Sequence, residues 1–160
     1  MNRKAFIMGT VLGGLAFIGA SSAKAQDPTD EDIKLFRKDI RSLRKQIVAA
    51  NLDLSDAESE KFWPLFEKYT AELVAKQDGK YALLKEYAEN YTTMNSKDAE
   101  NYIRGRAAIE EAILQVRLRY FPLFLEVVSG KTAARFFQID WRLGLVIDLQ
   151  LASQTPIIEP

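Results

Sequence analysis

Apolar residues in this chain recur at helical spacing, and no segment alternates as a strand would. Ile33, Phe36, Ile40, Leu43 and Ile47 repeat at 3, 4, 3 and 4, a heptad seam that predicts a first helix from Asp30 to about Ala50. The stretch Leu52 to Tyr69 organises the rest of the chain. Ser55 stands three residues before Glu58, the spacing of a capping box, in which each residue satisfies the other's free amide. Phe62, Phe66, Tyr69 and Leu73 then share one face of a second helix, expected to run to about Asn90. Pro64 lies inside it and is expected to bend it. At Asp78-Gly79 the apolar stripe shifts register to Tyr81, Leu84, Ala88 and Tyr91; a bend and a brief break are both compatible with that shift.

Asn95 or Ser96 caps a third helix to about Val128, with Ile109, Ile113, Val116, Tyr120, Leu123 and Val127 on one face and Pro122 inside it. Ser129-Gly130 is expected to close it, the glycine supplying a left-handed stop. Thr132 is read as the cap of a fourth helix ending near Ser153, before Pro156. Phe136, Phe137, Ile139, Trp141, Leu143, Leu145, Val146, Ile147, Leu149 and Leu151 cover most of its circumference. A helix apolar nearly all round is buried on several sides, as the centre of a bundle or as a subunit interface. The fold class is therefore all-α, with a single helical domain over 33–153 and a loose tail over 154–160.

Export changes the picture before charge does. Arg3 and Lys4 precede an uncharged run from Ala5 to Ala20, and Ala23-Lys24-Ala25 is a small-x-small cleavage site, so residues 1–25 read as a secretory signal peptide cut after Ala25. Residues 26–32 form a polar leader in which Thr29 and Asp32 can cap the first helix. The run is shorter than the ~20 residues of a membrane span, and no stable insertion is expected after cleavage. The location implied is a bacterial periplasm. The full chain balances 22 basic against 22 acidic residues; cleavage removes Arg3, Lys4 and Lys24 and no acid, leaving 19 against 22, a net of −3.

The chain has no Cys and no His, which removes thiolate chemistry and the commonest general base and metal ligand. It has no glycine-rich phosphate loop and no nucleophile elbow. Asp140 and Asp148 lie two turns apart, roughly 12 Å along a helix, too far to share a proton, with Arg135 and Arg142 as nearby ion-pair partners. Glu58, Glu60, Glu110 and Glu111 match no calcium loop. No enzyme activity, cofactor, metal or nucleic-acid partner is expected, and function is sought in surfaces.

Two surfaces stand out. From Ile33 to Ala50 the first helix carries Lys34, Arg37, Lys38, Arg41, Arg44 and Lys45 against Asp39, a net of +5 that leaves −8 for the rest of the cleaved chain. It suits an acidic partner, or pairing with the acid-rich second and third helices. Two aromatic-proline elbows, FWPLF at Phe62–Phe66 and YFPLF at Tyr120–Phe124, could curve the long helices so that Trp63, Phe66, Phe121 and Phe124 line a concave apolar surface. The same residues equally suit a plain aromatic core. The echo between the elbows is either an internal repeat or chance.

The layout resembles the Spy/CpxP-like periplasmic proteins, whose helix starts carry an L-T-x-x-Q motif. Its counterpart here is Leu54-Ser55-Asp56-Ala57-Glu58, where Ser and Glu keep the capping chemistry. Lys131-Thr132-Ala133-Ala134-Arg135-Phe136 stands where the second motif falls, with Thr retained and Leu and Gln absent. The resemblance covers roughly Ile33 to Ala152. It implies a four-helix, bent α-hairpin protomer, paired as an antiparallel homodimer, to which Pro64 and Pro122 add the expectation of kinked helices. It also implies ATP-independent binding of unfolded or partly folded envelope proteins, or binding of one periplasmic domain of a membrane signalling protein. By position, Arg37, Arg41 and Arg44 with nearby aromatics would form the client-binding face. Related metal sensors of that fold use His ligands, which this chain lacks.

Overall fold

The computed structural model describes residues 30–153 and 155–158; the expected signal peptide and Gln26–Thr29 lie outside them. Four helices succeed one another: α1 Asp30–Asn51, α2 Asp56–Asn90, α3 Ser96–Leu125 and α4 Gly130–Ala152. A 3-10 turn, Tyr91–Thr93, joins α2 to α3. No helix among the described residues is long and apolar enough to cross a membrane.

Local chemistry sets most of the ends. The Glu58 amide donates to Ser55 Oγ at 3.3 Å and the Ser55 amide to Glu58 Oε2 at 2.9 Å, so the capping box forms as expected. Asn95 caps α3 by accepting from the amides of Lys97 and Asp98 at 2.8 and 3.0 Å, while Asp98 accepts from the Asn95 amide. The start of α4 differs from expectation. Ser129 is its cap, its Oγ accepting from the Thr132 amide at 3.2 Å, and Thr132 already lies within the first turn. Gly130 is the first helical residue, not a left-handed stop, and α3 ends at Leu125 rather than Val128. Ser three residues before a Thr amide is itself an N-cap spacing, and it outcompetes the later start. At Gly79 the helix runs on unbroken, with nothing within 4 Å of where a β-carbon would sit.

The helices alternate in direction. Phe124 near the end of α3 meets Phe62 near the start of α2, and Tyr102 near the start of α3 stacks on Tyr87 near the end of α2. α4 runs parallel to α2, with Phe136 beside Phe62 at one end and Asp148 beside Lys80 further along. At one end of the bundle an aromatic core gathers Phe62, Phe66, Tyr69, Tyr120, Phe124, Phe136 and Phe137 around Val48 and Leu73. At the other end a smaller cluster joins Leu84, Ile147 and Leu151 to Ile33, Phe36 and Ile40. Charged side chains lie between the two.

The expected first seam is turned away from its predicted role. Leu43 is exposed and Ile33, Phe36, Ile40 and Ile47 are half-buried, whereas Arg37, Arg44 and Val48 are buried. α1 is rotated so that a basic edge of the seam faces inward, towards Asp78 and Asp140. Past α4 the chain does not leave the bundle at once. Thr155 Oγ1 donates to the Leu151 carbonyl at 2.8 Å, and the Pro156 carbonyl accepts from Tyr87 Oη at 2.8 Å.

Candidate functional site

The arginines expected to face a partner are engaged within the bundle. Arg37 donates to Asp78 Oδ1 at 2.6 Å and lies over the Tyr81 ring at 4.1 Å. Burial, and then the neighbouring Arg41 charge, lowers its pKa against the opposing pull of Asp78. Arg41, partly exposed, donates to the same oxygen of Asp78. Arg44 is sealed from solvent, its Nη1 donating to Asp140 Oδ1 at 2.6 Å. Their positions, spaced by 4 and 3, are a helix face in their own right, and acids on α2 and α4 draw that face inward. The basic surface that remains exposed on α1 is Lys34, Lys38 and Lys45, with Lys45 held by Glu67 at 2.8 Å.

Asp140 is the hub of the bundle and takes a contact from each of the other three helices. Arg44 reaches it from α1, Tyr69 Oη from α2 at 2.7 Å, and Arg117 Nε from α3 at 3.3 Å. Its partners are thus not Arg135 and Arg142, which are exposed. Burial, then the Asp140 charge and hydrogen bond, pushes the Tyr69 hydroxyl far above its ordinary range. Gly144, one turn on, gives Arg117 room: a β-carbon there would meet its Nη2 at 3.4 Å. The Nε and Nη2 of Arg44 are buried with no partner. Two cations on one carboxylate, closed to solvent, make a clamp rather than an acid–base pair. A second link forms where buried Lys80 meets Asp148 at 2.6 Å and Glu110 at 2.8 Å. Burial alone would raise the Glu110 carboxyl, but the Lys80 hydrogen bond and charge, followed by Arg106, hold it below the usual range.

The elbows divide between core and surface. Phe62, Phe66, Tyr120 and Phe124 are core, with Phe62 and Phe124 centred 5.2 Å apart, and both prolines are exposed. Phe66 and Phe124 therefore line no cleft, because the first and last aromatics of each elbow point into the bundle. Trp63 is half-buried on the α1 side, 5.4 Å from Lys45 Nζ. Phe121 is exposed on the α4 side, edge-on to Phe137 at 5.5 Å. The two surface aromatics face different neighbours and form no common surface.

The sequence pattern alone did not single out an apolar face along α3 and α4. Leu114, Leu118, Phe121 and Leu125 form a second stripe on α3, and Trp141, Leu145 and Leu149 form one on α4. Arg117, over the Trp141 ring at 6.0 Å, and Phe121, against Phe137, place both stripes on the side where α3 and α4 meet. Leu145 is 66% exposed and Leu149 73%, so α4 is not the enclosed centre of the bundle. The available signal was its apolar circumference, together with the spacings of 4, 3 and 4 on α3. No three acidic residues converge to hold a metal among the described residues. Compared with protein-family models, curated proteins and solved structures, the chain matches none.

Proposed function

We propose that this chain is a protein-binding helical bundle that holds unfolded or partly folded envelope proteins, without ATP, on the apolar face of α3 and α4. The observation that carries the reading is that face. Its seven large side chains expose on the order of 600 Å² of apolar surface, at or above the largest patch of an ordinary monomer, ~300–600 Å². Exposed apolar surface in water is unfavourable at roughly 25 cal/mol per Å², and covering it with an apolar segment of another chain recovers that energy. The absence of His and Cys and the sealed Asp140 clamp favour a binding role over a catalytic one. Export to the periplasm, a bundle bent at Pro64 and Pro122, and an antiparallel homodimer belong to the same reading. A chain that sediments as a monomer throughout the assay's concentration range removes the dimer.

The test is suppression of aggregation of several unrelated unfolding proteins by the purified chain at near-stoichiometric amounts. Leu145→Asp/Leu149→Asp is expected to abolish suppression while leaving the circular dichroism spectrum unchanged. Suppression that survives this variant removes the α3/α4 face from the proposal. The second reading, an accessory that binds one folded periplasmic domain, predicts no suppression of any client.

A further inference from the structure

A cavity of about 460 Å³ opens where α2 turns into α3, at the far end of the bundle from the aromatic core. Its size falls within the ~300–1,000 Å³ of small-molecule sites. Leu83, Met94, Tyr87 and Tyr102 supply its apolar wall. The two tyrosine rings stack at 4.2 Å with 19° between their planes, and the Tyr87 hydroxyl is spent on the Pro156 carbonyl, which fixes the ring. The polar lining is Glu86 and Asp98 with Asn90, Asn101 and Thr93.

The charges in this wall are one-sided. Both ionisable carboxylates are acidic and no Lys or Arg lines the cavity. Glu86 has no ion-pair partner among the described residues, and Asp98 gives one oxygen to the Asn95 amide. The cavity sits between the C-terminal end of α2 and the N-terminal end of α3, whose opposite partial charges offset one another, so its charge preference rests on the carboxylates. The half-buried Tyr102 ring adds an electron-rich surface, which attracts an ammonium group. Carboxylates and the aromatic ring favour the same ligand charge, and the leucine and methionine favour an apolar body.

We propose that this cavity binds a small organic cation, an ammonium group carried on an apolar body. The site is separate from the α3/α4 face and does not depend on the binding role assigned to it. Isothermal titration of the full chain with three shape-matched probes tests it: phenethylamine, neutral 2-phenylethanol and anionic phenylacetate. Phenethylamine is expected to bind at least about tenfold more tightly than 2-phenylethanol, with phenylacetate silent. Glu86→Gln is expected to weaken phenethylamine about tenfold with no change in thermal midpoint, because Glu86 is exposed. Replacing phenethylamine by N-acetyl-lysine methylamide separates the sources: tighter binding of the lysine compound assigns the site to a partner's lysine side chain, tighter binding of phenethylamine to a free amine. Equal affinity for the amine and the alcohol, an unchanged affinity in Glu86→Gln, or no heat with either amine overturns the proposal.

Discussion

Removing the Asp140 carboxylate tests whether the buried clamp holds the four helices together. Asp140→Ala leaves the Arg44 guanidinium, whose side chain is 1% exposed, with none of its donors paired. It also strips Tyr69 Oη and Arg117 Nε of their acceptor. Breaking a buried ion pair from one side costs about 3–5 kcal/mol. A domain of this size is stable by only ~5–15 kcal/mol, so the loss is about a fifth or more of the total. The clamp as a whole contributes much less. Two Arg44 donors are already buried without partners, each at a cost of ~1–3 kcal/mol. An apolar replacement, Arg44→Met/Tyr69→Phe/Asp140→Leu, removes those costs together with the carboxylate. It is expected to return to within about 2 kcal/mol of the parent, or to exceed it. Arg117, less deeply buried, can turn towards solvent. Urea unfolding followed by circular dichroism at neutral pH gives both numbers from the midpoint and slope. A loss below about 1 kcal/mol in Asp140→Ala, or a triple variant as unstable as the single one, would refute the reasoning.

Three further outcomes are set by the same geometry. Pro64→Ala restores a helix-interior amide at an exposed position; with proline ~3 kcal/mol worse than alanine inside a helix, a gain of about 1–3 kcal/mol in urea unfolding is expected, and a loss would mean that the fold requires the proline. Burial raises the hydroxyls of Tyr69, Tyr87 and Tyr120. The unfolded tyrosines ionise near pH ~10 while the folded ones stay protonated, so stability is full below that pH and falls as pH rises beyond it; Tyr69→Phe should flatten that fall, and an identical alkaline slope would count against it. At the acid end Glu110 is held below its ordinary value by Lys80 and Arg106. Its contribution is present above the unfolded value of ~4.3 and is lost as pH falls through the lower folded one, a slope that Glu110→Gln should reduce in thermal unfolding at pH 2 to 6.

Helix count and most ends were legible because they are set by neighbours in the chain: Ser55 with Glu58, Asn95 with Asp98, and the runs of aromatic residues at 3 and 4. The α4 start was misplaced by two cap candidates three residues apart, Ser129 and Thr132, which compete for one helix end. The rotation of α1 was not legible. Arg37 and Arg44 lie beside the apolar seam on the helix, and only residues 40 or more positions away, Asp78 and Asp140, decide that the arginines rather than Leu43 turn inward. The elbows were legible as aromatic helical segments, and helical spacing already separates Phe66, on the Phe62–Tyr69 face, from Phe121, off the Ile113–Tyr120 face; that Phe124 rather than Leu123 is buried is decided by the helices packed beside it. The apolar circumference of α4 signalled more than one buried side, yet one bundle covers only one of them.

The two surfaces weighed for function can be separated because they respond to opposite experiments. Reversing Arg37, Arg41 and Arg44 to glutamate places like charges against Asp78 and Asp140, and the resulting loss of binding would only report an unfolded bundle. Leu145 and Leu149 are largely exposed; substitutions at such positions stay within about 0.5 kcal/mol, and the aspartate at 149, in the last turn of α4, adds ~0.3–1 kcal/mol of unfavourable helix-end charge. Changing them to aspartate therefore leaves the fold as its own control. The arginines hold the bundle closed; under the proposed function, the exposed leucines are where another chain would gain by touching it.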